Sequence, residues 1–248
     1  MELAAALRAP ASRTRALQLG GLTPFSSLDY PDQLAAVVFV AGCAWRCGYC
    51  HNPHLQRREP APAGGPNWDE VQGWLRSRVG LLDAVVFSGG EPTTDAGLPL
   101  AMAQVRALGF KIGLHSAGLY PLRLQAVLPL VDWVGLDVKA PLSQPALHQR
   151  ITGVAGSHLP VAASLRHLVD AGIDFECRTT AHPAWLDDAA LLRLGAELAG
   201  AGVTRYAVQL CRDQGAGHRH GPVPAGYPGT DTLDWLQARF EHFTLRSG

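Results

Sequence analysis

The chain reads as an α/β protein, and three observations carry that reading. Six short apolar runs rich in branched residues recur along its whole length, most of them followed by helix-like stretches. The runs are almost continuously apolar rather than alternating, as expected of parallel strands covered on both faces. Of the 248 residues, 47% are hydrophobic and 17% charged, enough chain and enough apolar surface for one large core.

The expected strands are AAVVFVAG (35–42), DAVVFSGG (83–90), KIGLHSAG (111–118), WVGLDVKA (133–140), DFECRTTA (174–181) and RYAVQLCR (205–212). Between the second and third, Thr94 or Asp95 is placed to cap a helix over AGLPLAMAQVRAL that stops at Gly109. SHLPVAASLRHLVDAG predicts a helix ending at Gly172, and DDAALLRLGAELAGAG one ending near Gly202. Stretches 56–67 and 213–229 are dense in Gly and Pro and read as loops. Strand and helix alternating in this way leave two architectures open, a barrel and a doubly wound sheet.

Function classes narrow next. Lys plus Arg and Asp plus Glu both number 21, so no global field draws the chain to nucleic acid or to an anionic membrane. The N-terminal segment is interrupted by Arg8, Arg13 and Arg15 and does not read as a secretory signal, and the apolar run 34–42 is too short to span a bilayer. A cytoplasmic, reducing location is expected, where five cysteines serve as metal ligands or buried thiols before disulfides.

In either architecture, chemistry gathers at the carboxyl ends of the strands. There the chain places Cys43, Cys47 and Cys50 after the first strand, Glu91 after the second, His115 and Ser116 on the third, and Asp137 and Lys139 on the fourth. GCAWRCGYCHNPH (42–54) holds three thiols at spacings of four and three. Zinc would want four ligands, so His51 or His54 would have to turn inward. CGYCH also matches a c-type haem attachment site, which requires export. A disulfide would strand an odd thiol. Three thiolates suit a four-iron cube whose remaining iron a small molecule can chelate.

This C-x-x-x-C-x-aromatic-C run after a first strand resembles the signature of radical S-adenosylmethionine enzymes, and SGGEP (88–92) resembles the family's glycine-rich motif. Residues 20–55, with SLDYP and CHNP, resemble the opening of activating proteins for anaerobic ribonucleoside-triphosphate reductase, as do GLDVKAP (135–141), ITG (151–153), ECRTTAHP (176–183) and YAVQLCR (206–212). The resemblance implies a partial (β/α)6 TIM-like barrel, with a core domain at 20–248 after an extension at 1–19. It implies a 4Fe-4S cluster on Cys43, Cys47 and Cys50 and S-adenosylmethionine as cofactor. Tyr49, Gly89, Gly90, Glu91, Ser116 and Arg178 would lie beside that cofactor, with Glu91 receiving its ammonium. Asp137 and Lys139 would lie near the radical path, where a plain rim salt bridge is the alternative.

The implied activity is reductive cleavage of S-adenosylmethionine to a 5′-deoxyadenosyl radical that makes a glycyl radical on a partner reductase. Flavodoxin or ferredoxin would be the electron donor, and neither nucleic acid nor membrane a partner. A small-molecule enzyme resembling deazaguanine synthases is the alternative; it would need polar residues converging inside the barrel, and the strands carry few. A zinc or haem protein is the remote one. The chain departs from the family in having His115 where relatives carry an Asp, which puts a cation site there in doubt, and Asp32 where they often carry Gly. Cys177 and Cys211 are too few and too separated for an auxiliary cluster. Cys177 reads as a buried thiol, and His182 as a loop residue.

Overall fold

A computed structural model describes residues 17–58, 65, 67–212 and 221–247. The order is β1 (Leu19–Ser26), β2 (Ala35–Val40), α1 (Trp68–Arg76), β3 (Ala84–Gly89), α2 (Leu98–Ala107), β4 (Lys111–Ser116), α3 (Pro121–Val127), β5 (Trp133–Asp137), α4 (Pro145–Thr152), α5 (His158–Ala171), β6 (Asp174–Ala181), α6 (Asp188–Gly200), β7 (Arg205–Leu210), α7 (Thr230–Arg239) and β8 (His242–Arg246). All lie in one sheet of order β1 to β8, β1 antiparallel to β2 and every later neighbour parallel. The six expected strands are β2 to β7, each followed by helix, so the partial barrel of six strand-helix units is the observed architecture. β1 and β8, one at each margin of the sheet, were not anticipated.

Alternation explains the two apolar layers. Ala36, Val38 and Val40 of β2, Val85 and Phe87 of β3, and Ile112 and Leu114 of β4 belong to the large core shared with the helices. The intervening Ala35, Val37, Ala84 and Val86 face the other way, where they form a second cluster with Tyr30 and Trp133. Tyr30, from SLDYP, stacks on Trp133 with ring centroids 5.2 Å apart. It closes one end of the inner face.

Helix ends follow local chemistry. Asn67 and Glu70 form a reciprocal capping box at the start of α1, and α4 and α5 stop at Gly153 and Gly172 in the left-handed conformation. The cap expected at Thr94 or Asp95 is displaced: Gly97 is the residue before α2, and Asp95 instead accepts from the Gly97 and Gln18 N–H groups and from Arg58. Much of loops 56–67 and 213–229, and residues 1–16 of the expected extension, lie outside the described residues. Leu17 and Leu19 are buried in the main core. Among the described residues no helix is long and apolar enough to cross a membrane.

Candidate active site

The carboxyl ends of β2 to β7 open onto a cavity of about 470 Å³, within the range of small-molecule sites, roughly 300 to 1,000 Å³. Cys43, Cys47 and Cys50 all line it from the loop after β2. That loop is held by backbone on two sides. Gly42 N–H and Cys43 N–H donate to Leu55 and Gln56 carbonyls (2.8 and 3.1 Å), while Arg46 N–H and Gly48 N–H donate to Thr152 and Ile151 carbonyls (2.8 and 3.4 Å). The ITG segment is therefore the outer wall of the thiol loop. Gly153 keeps that wall close, since its φ is +73° and a Cβ there would meet Arg46 Cβ at 3.3 Å.

Behind this wall, His148 and Ser157 share a 2.7 Å hydrogen bond and Ser157 shares another of 2.8 Å with Thr152, all three being buried. Burial, and then His158, lowers the His148 pKa to about 4, so the ring is neutral at pH 7.

SGGE locks into the same loop. Gly90 N–H donates to Val40 O (3.0 Å) and Glu91 N–H to Gly42 O (2.8 Å). A Cβ on Gly89 would lie 2.4 Å from Val40 O, and one on Gly90 2.5 Å from Gly42 O, so both positions exclude any side chain. Both glycines line the cavity. Glu91 does not. Its side chain is fully buried; Oε1 accepts from Thr93 N–H (3.2 Å), Thr93 Oγ1 (2.6 Å) and Ser116 Oγ (2.8 Å), and Oε2 from Ala117 N–H (2.9 Å). The carboxylate expected to meet a ligand ammonium braces β3 against β4 in this structure. The motif fixes its residue type but not where the side chain points.

The β5 to β7 side is built from charge. Asp137 and Arg178 are direct register partners, with Arg178 Nε and Nη2 at 3.0 and 2.9 Å from Asp137 Oδ1. Lys139 Nζ lies 3.4 Å from Asp137 Oδ2 and 5.7 Å from the Tyr49 ring centroid. Burial alone would raise the Asp137 pKa, but Arg178 and Lys139 overcome it and hold it at about 2. Gly135 admits Arg178, since a Cβ there would lie 2.8 Å from the guanidinium carbon.

Tyr49 is buried, its hydroxyl has no hydrogen-bond partner among the described residues, and burial pushes its pKa up. His115 shares a 2.8 Å hydrogen bond between Nε2 and the Asp29 carbonyl; burial and then Arg178 drive its pKa down, so it is neutral and donates there. Cys177 is fully buried, and His182 Nδ1 accepts from Ala184 N–H (3.1 Å) in the loop after β6.

Two expectations change. The strands do bring polar side chains inside: Ser88, His115, Arg178, Thr180 and Gln209 line the cavity together with Asp29. They come from four strands, β3, β4, β6 and β7, and from the loop before β2, so no single sequence window shows them together. Asp32 is a turn residue with φ +59°, which gives a reason for the Gly of the family pattern.

The residues fit a metal cluster. Among the described residues no three His, Cys, Asp or Glu side chains meet tightly enough for a single ion, whereas a cluster spreads its thiolate ligands over separate irons. Burial raises the Cys43 pKa to about 11 and also raises that of Cys47, so loading would release protons. The glycine edge of the cavity lies beside these thiols and leaves room for a small molecule.

A partial barrel with three thiols on the loop after its first parallel strand, beside a cavity of this size, defines an enzyme that pairs a metal cluster with a small-molecule cofactor. Residues 37–190 match the radical SAM superfamily, and the chain belongs to that family. Its cofactors are those of the family, a 4Fe-4S cluster and S-adenosylmethionine. The chain is 25% identical over 177 residues to a protein of Methanocaldococcus jannaschii named as a glycyl-radical enzyme activating enzyme, covering 68% of this chain and 70% of that one. It is 29% identical over 185 residues to the pyruvate formate-lyase-activating enzyme of Streptococcus mutans, covering 69% and 68%. SuiB of Streptococcus suis, solved with its precursor peptide SuiA, shares the fold with a TM-score of 0.65 at 14% identity over 85% of this chain. The chain spans about half the length of SuiB, 48%.

Proposed function

We propose that this radical SAM enzyme activates a glycyl-radical enzyme, by abstracting hydrogen from a backbone glycine of an anaerobic ribonucleoside-triphosphate reductase. The observation that carries the reading is its likeness to two activating enzymes, each matched over at least 68% of both chains. The motifs SLDYP, CHNP and ITG support the reductase in particular. Five free cysteines support a reducing, cytoplasmic setting, and the family chemistry calls for a low-potential donor such as flavodoxin or ferredoxin.

Cys43, Cys47 and Cys50 would hold the cluster, which when bound supplies one electron at low potential to S-adenosylmethionine; such clusters span roughly −700 to +450 mV. The chain's own residues position and exclude. Gly89 and Gly90 offer a bare backbone edge to the cofactor's amino acid end, with Ser116 at its side, and Glu91 acts through Ser116 and Ala117 rather than by contact. Tyr49 shields the thiols from solvent. Arg178, Asp137 and Lys139 present an ordered charge set toward the reacting end, Asp137 remaining ionised across the neutral range.

The test is anaerobic incubation with reductant, S-adenosylmethionine and a reductase whose radical glycine carries deuterium. A doublet glycyl signal in electron paramagnetic resonance and deuterium in 5′-deoxyadenosine are the expected results. Cofactor cleavage without label transfer would favour a small-molecule substrate, a reading that the polar cavity lining supports.

A further inference from the structure

A second cavity, of about 250 Å³, lies between α4 and α6 outside the site described above. Its wall includes Trp185, Arg150 and Arg193. Trp185 connects it to the thiol loop: a Cβ on Gly48 would lie 3.0 Å from indole Cη2 and Cζ2, so the ring rests directly on backbone between Cys47 and Cys50. The same ring meets Tyr49 edge-on at 6.5 Å. Arg150 lies 5.9 Å from the indole centroid and donates to the Trp185 carbonyl (3.1 Å). The indole thus spans from an outer cavity to the loop that would hold the cluster.

Basic side chains outnumber acidic ones around it. Arg46, Arg150 and Arg193 are exposed, and among the described residues none of the three pairs with a carboxylate. The Arg46 guanidinium donates to the Cys43 and Trp45 carbonyls. Asp187, the one acid in the cavity wall, has Oδ1 engaged at the start of α6 by Ala190 N–H (2.8 Å). Two exposed guanidiniums against one carboxylate beside the indole make a surface that favours an anionic partner, and such charge acts mainly on encounter rate.

We infer that the Arg150, Arg193 and Trp185 face is the docking surface for an acidic electron-carrier protein, with the indole against Gly48 as the short route inward. One electron passes from the donor's reduced centre to the cluster; the donor is oxidised by one electron, the cluster is reduced by one, and no bond or proton is exchanged. The inference rests on the family's cluster and not on the glycyl-radical partner.

The experiment uses the cluster-loaded full chain and follows the loss of visible absorbance under two reductants, reduced flavodoxin with an acidic face and photoreduced 5-deazaflavin, a neutral small molecule. Arg150→Glu with Arg193→Glu is expected to slow reduction by flavodoxin at least tenfold and to weaken flavodoxin binding in calorimetry. The deazaflavin rate should stay unchanged. Wild-type reduction by flavodoxin should slow as salt rises to about 0.15 M, where the screening length is about 8 Å, and the double variant should lose that dependence. Arg193→Glu alone, which leaves the Arg150 bond to the Trp185 backbone intact, should show the same pattern more weakly. Unchanged flavodoxin kinetics in the double variant would overturn the assignment. So would an equal loss with deazaflavin, which would mean that the arginines support the loop. Neither readout needs the reductase, so failure here is distinct from failure of the activation reading.

Discussion

The two sides of the main cavity are built differently. On the β2 to β4 side the structure is fixed by backbone: Gly89 and Gly90 lie against Val40 and Gly42 at distances that exclude any Cβ, and loop carbonyls and N–H groups pair directly. On the β5 to β7 side it is fixed by charge, with Asp137 held between Arg178 and Lys139 while Thr180 and Gln209, register partners on β6 and β7, face the space. The contrast indicates a rigid end, where small geometric changes are intolerable, and an adjustable end, where chemistry can change at little cost to the fold.

The largest test of the contrast is Gly90→Ala. Its Cβ would meet Gly42 O at 2.5 Å and Leu55 O at 2.8 Å, both backbone atoms that cannot rotate away. A loss of at least about 4 kcal/mol in urea unfolding is expected. Gly73→Ala in α1, with nothing within 4 Å of the new methyl, should instead gain about 0.5 to 1 kcal/mol. Next comes Glu91→Ala, which leaves buried donors on Thr93, Ser116 and Ala117 without their acceptor; about 3 kcal/mol should be lost. If unfolding is unchanged and only cofactor affinity falls, Glu91 is a contact residue and not a brace.

Asp137→Asn addresses the charged side. The folded pKa of about 2 lies below the ordinary 3.8, so the pairing stabilises the fold above pH 4 and is lost as pH falls from about 4 to 2. A third of the side chain is open to the cavity, where solvent screens the pair, so about 1 kcal/mol is expected at pH 7. The difference from wild type should vanish by about pH 2 in acid unfolding. The smallest effect belongs to Thr180→Val and Gln209→Leu, each within about 0.5 kcal/mol of wild type in stability. A larger loss in either would mean that this end too is structural.

What the sequence made legible follows the same division. β2, β3 and β5 were readable because each is nearly all apolar, and β4, β6 and β7, which carry polar residues, from their branched residues and their place in the strand-helix rhythm. β1, with Gly20, Gly21 and Pro24, and β8, with His242 and Arg246, are margin strands and lack that signal. The thiols were readable because their ligand spacing is local. Arg178 and Asp137 were each singled out, yet their pairing was visible only through the β5 to β6 register. Asp29, Thr180 and Gln209 were not found, because they come from the loop before β2, from β6 and from β7, and only the barrel brings them together. Glu91 was found by motif, but its hydrogen bonds to Ser116 and Ala117 one strand away were not legible.

The pairing of Arg46 and Gly48 with Thr152 and Ile151 also sets an order in time. A chain made from its N-terminus exposes the three cysteines well before the carbonyls that wall in their loop, which follow after about a hundred further residues. Until α4 has emerged, the thiol loop lacks the backbone partners of Arg46 and Gly48. The ligand loop is thus completed by residues far along the chain, and its final shape depends on the fold and not on its own short sequence.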